Sequence, residues 1–205
     1  MQTVDSDMLH PGEPAWRIAL LFPTQGNWTE ADYLALDAGR LVEFERGCVE
    51  VLDMPSKEHQ RIVQYVYRML FAFVEARMLG EVFVAPLPVR LWEQKFREPD
   101  VVFVARGRAD YQGYPEGADL LVEVVSDDAA SRRRDLATKR DEYSKAGVLE
   151  YWMIDPRERQ VAVGSLRDGI YEVQEFGDGG GVRSIRLPGF ELSVTAILNA
   201  ANSPA

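Results

Sequence analysis

Cysteine and histidine are nearly absent from this chain. Its 205 residues include one cysteine, Cys48, and two histidines, His10 and His59. One thiol leaves no partner for an intramolecular disulfide and no thiolate cluster of the zinc type, and two imidazoles do not make a multi-histidine centre. Any metal is therefore expected to be hard and held by oxygen. Long apolar runs are missing too. Ile18-Ala19-Leu20-Leu21-Phe22, near the start, is too short for a spanning helix and lacks a basic leader. Neither a signal peptide nor a membrane partner is expected, and the cytosol is the expected compartment. Positive charge is also in deficit. A formal net charge of −10 gives the whole molecule no standing attraction to nucleic-acid phosphates. The densest basic stretch, Arg132-Arg133-Arg134 followed by Lys139-Arg140, reads either as a solvated helix face or as a local phosphate-binding patch.

What is present is an ordinary globular composition, 46% hydrophobic and 27% charged, in a length that suits one domain. Residues 1–28, with Pro11, Pro14, Pro23 and Gly26, read as an irregular leader, 29–198 as the domain and 199–205 as a short tail. Thr29 is the expected N-cap of a helix to about Ala38, with Gly39 past its end. Leu41–Glu45 and Cys48–Met54 flank Arg46-Gly47 as a hairpin. Ser56 starts a long helix to Met78 whose apolar positions Ile62, Val66, Met69, Leu70 and Phe73 recur at three and four, and Gly80 is expected to end it. Val82–Ala85 and Val89–Trp92 read as short strands. A further helix runs from about Ala130 to Lys145, capped from Ser126-Asp127-Asp128 and closed by Gly147. Glu150–Ile154, Gln160–Gly164, Ile170–Glu175 and Val182–Leu187 read as strands, the middle two as an edge hairpin. Asp178-Gly179-Gly180-Gly181 reads as a turn, since a phosphate loop needs a following Lys-Ser/Thr and a helix.

One side chain stands out. Glu123 lies inside Leu120-Leu121-Val122-Glu123-Val124-Val125, a run that otherwise reads as a buried strand. A desolvated carboxylate there needs a cation or strong donors, so it holds a structural partner or does chemistry. Pro99-Asp100 opens a second such run, Val101-Val102-Phe103-Val104. Alternation puts Glu123 on a face with Leu121 and Val125, and Asp100 on a face with Val102 and Val104. If the two strands are neighbours, both acids point to one spot. In the later helix, Leu136, Lys139 and Tyr143 form the inner stripe, an unusual place for a lysine.

These residues, in order, resemble a known family. Glu43 in a hairpin, Glu58-His59-Gln60-Arg61-Ile62 in a long helix, Pro99-Asp100-Val101, Leu121-Val122-Glu123-Val124-Val125-Ser126, then Arg134-Asp135, Lys139, Tyr143, Gly147-Val148, Glu150-Tyr151-Trp152 and Asp155-Pro156 are similar to the Uma2 (DUF820) family. That family is assigned to the restriction-endonuclease-like PD-(D/E)XK nucleases. The resemblance covers roughly residues 28–165. It implies an α/β fold with a mixed central sheet, the long helix on one side and the Lys139 helix near the other. It further implies hydrolysis of DNA phosphodiesters with Mg²⁺ or Mn²⁺, held by Asp100, Glu123 and the backbone carbonyl of Val124. The lysine that the motif places two residues after Glu123 is Val125 here, and Lys139 is the expected replacement. Glu43 matches the acid of the hairpin strand, as a second-metal contact or a support for the ligands. DNA is the expected partner, met by His59, Arg132, Arg133, Arg134 and Arg140, and a homodimer is the expectation for an enzyme that cuts two strands.

Each residue also has a structural reading. Glu123 suits a buried pair with Arg90 or Lys139, and Lys139 a pair with Asp135 one turn away. Asp100 suits a strand-start hydrogen bond, Glu43 an exposed strand position and His59 a helix cap. Tyr143 and Trp152 suit core aromatics with a satisfied polar tip. Tyr111 and Tyr114, in the long loop after Val104, are candidate substrate contacts. Three function classes therefore compete: the metal-dependent nuclease, a catalytically silent binding protein derived from one, and a hydrolase of another phosphate ester.

Overall fold

The computed structural model describes residues 22–36, 41–108 and 113–202. Thr29 caps helix α1 (Glu30–Leu34) through a reciprocal box with Asp32, in which each side chain satisfies an orphan amide at the helix start. The helix stops at Leu34 rather than near Ala38, and Gly39 lies outside the described residues. Strands β1 (Val42–Glu45) and β2 (Cys48–Val51) make the expected hairpin. Arg46 and Gly47 take φ of 44° and 78°, the left-handed pair that a tight two-residue turn requires. The end of the leader is fastened to this turn. The amides of Gly26 and Trp28 donate to the Gly47 carbonyl at 2.7 and 3.1 Å, and Trp28 is buried with Tyr33, Val42, Phe44 and Phe96.

Ser56 caps helix α2 (Lys57–Ala76), its hydroxyl accepting from the His59 amide at 3.1 Å. Ile62, Val63, Val66, Leu70 and Val74 are the buried stripe, each contributing about 1.5–3 kcal/mol when fully withdrawn from water. Met69 is 43% exposed instead, because the stripe follows the 62–66–70–74 row and Met69 falls at its edge. Gly80 does not end the helix. Met78, at φ 51°, takes the left-handed turn, and Gly80 opens β3 (Gly80–Val84). Glycine is needed there because a Cβ would sit 2.0 Å from the Val104 carbonyl oxygen.

The chain continues through β4 (Val89–Trp92), β5 (Lys95–Arg97), β6 (Val101–Ala105) and β7 (Leu120–Val124). Helix α3 (Ala129–Arg133), capped by Asp128, passes through a π turn at Arg134–Thr138 into α4 (Lys139–Lys145). Strands β8 (Glu150–Asp155), β9 (Gln160–Arg167) and β10 (Ile170–Gly177) follow. Last come β11 (Gly181–Arg183), β12 (Glu191–Ser193), α5 (Val194–Asn199) and a 3₁₀ turn at Ala200–Asn202. Residues beyond Arg183 turn back rather than extend β11 to Leu187, with the Ser184 amide donating to Phe190. The 3₁₀ turn, read above as tail, packs on α2, where Arg61 donates to the Ala201 carbonyl at 3.1 Å.

The central sheet has six strands in the order β10-β9-β8-β7-β6-β3. It is mixed: β7 and β8 run parallel and the other neighbours antiparallel. Alternation sends Val101, Phe103, Leu120 and Val122 to one face, where α2 packs, and Val102, Val104, Leu121 and Val125 to the other, where Tyr143 of α4 packs. This is the α/β architecture with a mixed central sheet that the family resemblance implied. A second sheet, β2-β1-β5-β4, was not expected as a separate unit, and β5 was not expected at all. Among the described residues no helix is long and apolar enough to cross a membrane.

The Gly80 contact is directly testable. Gly80→Ala should lower stability by about 1–3 kcal/mol, the usual cost of forcing a methyl group into occupied space. A denaturant midpoint equal to the parent's would show that β3 and β6 can part there at no cost.

Candidate active site

Strands β6 and β7 are neighbours, with Val101 opposite Val122. Continuing the register by one residue sets Asp100 and Glu123 across from each other on one face, as alternation required. The two are 6% and 4% exposed. The Val124 amide donates to Asp100 Oδ2 at 2.8 Å, so this strand-start bond coexists with whatever else Asp100 does. His59 comes from the first turn of α2 and brings Nε2 to 3.2 Å from the same oxygen.

Lys139 reaches the pair from the other side. Its Nζ lies 2.8 Å from Glu123 Oε1, 3.3 Å from Glu43 Oε1 and 3.4 Å from Asp135 Oδ1. Tyr143 donates its hydroxyl to Glu123 Oε1 at 2.8 Å, which satisfies the polar tip expected of a core aromatic. The π turn makes this possible. Such a turn inserts one residue into a helix and shifts the face it presents. Asp135 and Lys139 are both buried as a result, while Leu136, expected on the stripe, packs only partly buried against the neighbouring cluster.

Glu43 is buried, not exposed, and it is shared between Lys139 and Arg97. Arg97 in turn forks onto Glu142 of α4, with bonds of 2.8 and 2.9 Å. Beside it Lys95, completely buried, pairs with Glu142 at 2.7 Å and with Glu45. Strand β5 thus presents two cations to acids of β1 and α4 on one face, and Phe96 to Phe44 and Tyr33 on the other.

Too many acids share too few cations. Burial drives Glu123 toward its neutral form, and Asp100 and Asp135 add to that against the pull of Lys139, so its carboxyl is raised well above the ordinary range. Asp135 is raised for the same reason, burial first. Burial opposes ionisation of Glu43 too, but Lys139, Arg97 and Arg134 overcome it and hold its carboxylate low. Lys139 is raised, its neighbouring carboxylates outweighing desolvation. Glu98, which sequence reasoning missed, accepts the Val42 amide at 2.8 Å and is pushed up to about 7 by burial, with Glu43 assisting.

The expected substrate residues scatter. Arg134 lines the site and pairs with Glu50 at 2.9 Å. Arg132 is forked onto Asp155 at 3.0 and 2.6 Å, Arg133 is exposed, and Arg140 lies 3.5 Å from Asp141; none of these three lines the cavity. Arg90 pairs with Glu30 and Glu116, not with Glu123. Tyr114 packs edge-on against Phe96 at 5.1 Å, and Tyr111 lies outside the described residues.

Asp100, Glu123, Val124, Asp135, Lys139 and His59 line one cavity of about 330 Å³. Among the described residues no three Asp, Glu, His or Cys side chains converge as a metal-binding group. What the site offers is two neighbouring carboxylates, the Val124 backbone and an excess of negative charge. That donor set fits Mg²⁺, which commonly binds through one or two carboxylates and keeps water and phosphate oxygens for its other positions. His59 Nδ1 is buried there without a hydrogen-bond partner.

The model of the Uma2 family, described as "Putative restriction endonuclease", matches residues 30–195. The chain belongs to the Uma2 family. A solved chain titled "putative nuclease belonging to DUF820", from Anabaena variabilis, superposes with a TM-score of 0.71 at 18% identity, covering 85% of this chain and 99% of that one. At that identity the likeness is one of fold, and the fold is that of a nuclease-like Uma2 (DUF820) structure. No curated protein sequence matches the chain.

Glu98 gives the site a pH signature. Its ordinary pKa of 4.5 applies when unfolded, and about 7 when folded. Below pH 4.5 both states hold the proton and Glu98 has no effect. As pH rises toward 7 the unfolded state releases it first, so folding is progressively penalised. Glu98→Gln in metal-free buffer should therefore raise the melting temperature at pH 8 and leave it unchanged at pH 4. An equal gain at both values would show that the effect is packing rather than charge.

Proposed function

We propose that this protein is a divalent-metal-dependent endonuclease acting on DNA phosphodiesters, with Mg²⁺ or Mn²⁺ held by Asp100, Glu123 and the Val124 carbonyl. The observation that carries the reading is the 2.8 Å contact between Lys139 Nζ and Glu123 Oε1. The family motif carries a lysine two residues after its second acid, and Val125 occupies that position here. A helix supplies the ammonium to the same carboxylate from sixteen residues further on.

A bound Mg²⁺ or Mn²⁺ would polarise the scissile phosphate and lower the pKa of the attacking water. The side chains divide the remaining work. Tyr143 and Lys139 both hold Glu123 Oε1, which fixes the carboxylate's orientation. The Val124 amide does the same for Asp100. Lys139 is the cation nearest the acids, so its charge falls where the non-bridging phosphate oxygens become more negative, and it stabilises the transition state more than the ground state. Glu43 and Asp135 act through Lys139 by keeping its ammonium charged and in place. Arg134, which lines the cavity beside its pairing with Glu50, and the Nδ1–H of the His59 imidazolium are the donors that would meet phosphate.

Calorimetric titration with Mg²⁺ and Mn²⁺ tests the metal site: the parent binds, and Asp100→Ala and Glu123→Ala each lose binding. Equal binding by all three proteins would remove the site from these acids.

Lys139→Met should be less stable than the parent, because it leaves buried carboxylates without their cation, yet still fold, retain metal and lose about 10²–10³ in plasmid-cleavage rate, the range for deleting one transition-state donor. Asp135→Asn removes the rival partner and should spare cleavage by comparison. Returning the lysine to its motif position, in the double variant Val125→Lys with Lys139→Met, should restore activity in part. Parental cleavage by Lys139→Met would refute the migrated lysine, and a parent that cleaves no nucleic acid with either metal would leave the binding-protein reading in its place.

A further inference from the structure

A second recess opens beside the acids, of about 210 Å³. Its walls are largely apolar, with Met54, Pro55, Ala85 and Pro86 among them, and Asp53 and Gln60 are its polar members. It is continuous with the acid cavity. Leu41, Leu52, Asp53, Met54 and Pro55 line both. The Ala85 amide donates to the Asp100 carbonyl at 3.1 Å, so one wall of the recess is tied to the residue that begins the acid pair.

We infer that this recess seats an unstacked nucleobase adjoining the phosphate held at Asp100 and Glu123, so that the protein takes single-stranded or locally unpaired DNA in preference to duplex. The inference rests on the nuclease reading of the neighbouring cavity. Its physical basis is the shortage of free positive charge. Arg134, which lines the acid cavity, is engaged by Glu50, and Arg132 and Arg97 are engaged by Asp155 and Glu142, in a molecule of net charge −10. Phosphate attraction, the usual source of duplex affinity, is correspondingly small. Stacking on an apolar surface does not draw on charge, and every base has a face to offer. Met54 is 78% exposed at the join of the two cavities, and a thioether packs well against a π face. Gln60 can donate to and accept from a base edge, and Asp53 can accept from an exocyclic amine. A base inside a duplex must first leave its stack to enter, which an unpaired base need not do.

The test uses the full chain and short oligonucleotides of one sequence in three forms: single strand, duplex, and single strand with one abasic position. Dissociation constants are measured with Ca²⁺ in place of Mg²⁺, and cleavage with Mg²⁺. The parent should bind the single strand about tenfold more tightly than the abasic strand, the weight of one stacked base, and more tightly than the duplex. Met54→Ser, at an exposed position that leaves the fold intact, should weaken binding of the intact strand by a similar factor and be indifferent to the missing base. 2-Aminopurine at the seated position should brighten on binding the parent and not on binding the variant. Equal affinity of the parent for intact and abasic strands overturns the inference, as does a Met54→Ser protein that still discriminates. The cleavage arm reports separately on the nuclease reading: a parent that binds with base dependence but cuts nothing keeps the recess and loses the enzyme.

Discussion

The Lys139 ammonium is the interaction on which the rest of the site depends. It is 2% exposed and lies within 3.4 Å of Glu43, Glu123 and Asp135. A buried ammonium alone costs several kcal/mol to desolvate, and so does each buried carboxylate. Together they are tolerable, and only together. The three acids come from β1, β7 and the π turn, so one cation ties the second sheet, the central sheet and the helix between them. Burial first, and then the carboxylates the ammonium cannot neutralise, raise the Glu123 and Asp135 carboxyls, and that uncompensated charge leaves the cavity suited to a further cation.

Two kinds of information governed what could be read from sequence. Strand alternation is local and exact in period, so the common face of Asp100 and Glu123 was legible from twenty-four residues of chain. Helical spacing likewise exposed Lys139 as a lysine among core positions. Strand β5 was not legible because Lys95 and Arg97 look like solvent residues, and the acids that allow them to be buried, Glu43, Glu45 and Glu142, lie some fifty residues away. The π turn carries no local signature; it moved Asp135 inward in place of Leu136. The arginine cluster was legible as charge but not as availability, since Asp155, the partner that engages Arg132, sits on a different element.

The cation-rich face of β5 has a second effect on the architecture. One face of the small sheet is a dry aromatic cluster of Phe44, Phe96 and Tyr33, and the other meets α4 through Lys95, Arg97 and Glu142. Aromatic packing is indifferent to protonation; the ionic face is not. The hairpin that carries Glu43 is therefore held to β5 by aromatic packing as well as by the Glu43–Arg97 and Glu45–Lys95 pairs, and to helix α4 through the Lys139 ammonium.

That division makes the seam between α4 and the small sheet a plane along which the molecule can come apart in stages. Burial opposes ionisation of Glu142, but Arg97 and Lys95 overcome it and hold its carboxyl low, so the attraction across the seam outlasts that of an ordinary carboxylate as acid is added. Local opening there would draw Glu43 and Arg97 away while Asp100 and Glu123 kept their places, leaving Lys139 with fewer carboxylates to hold it in position. Opening of the seam would thus disarm the ammonium without unfolding the strands, and the site would behave as two cooperative units rather than one.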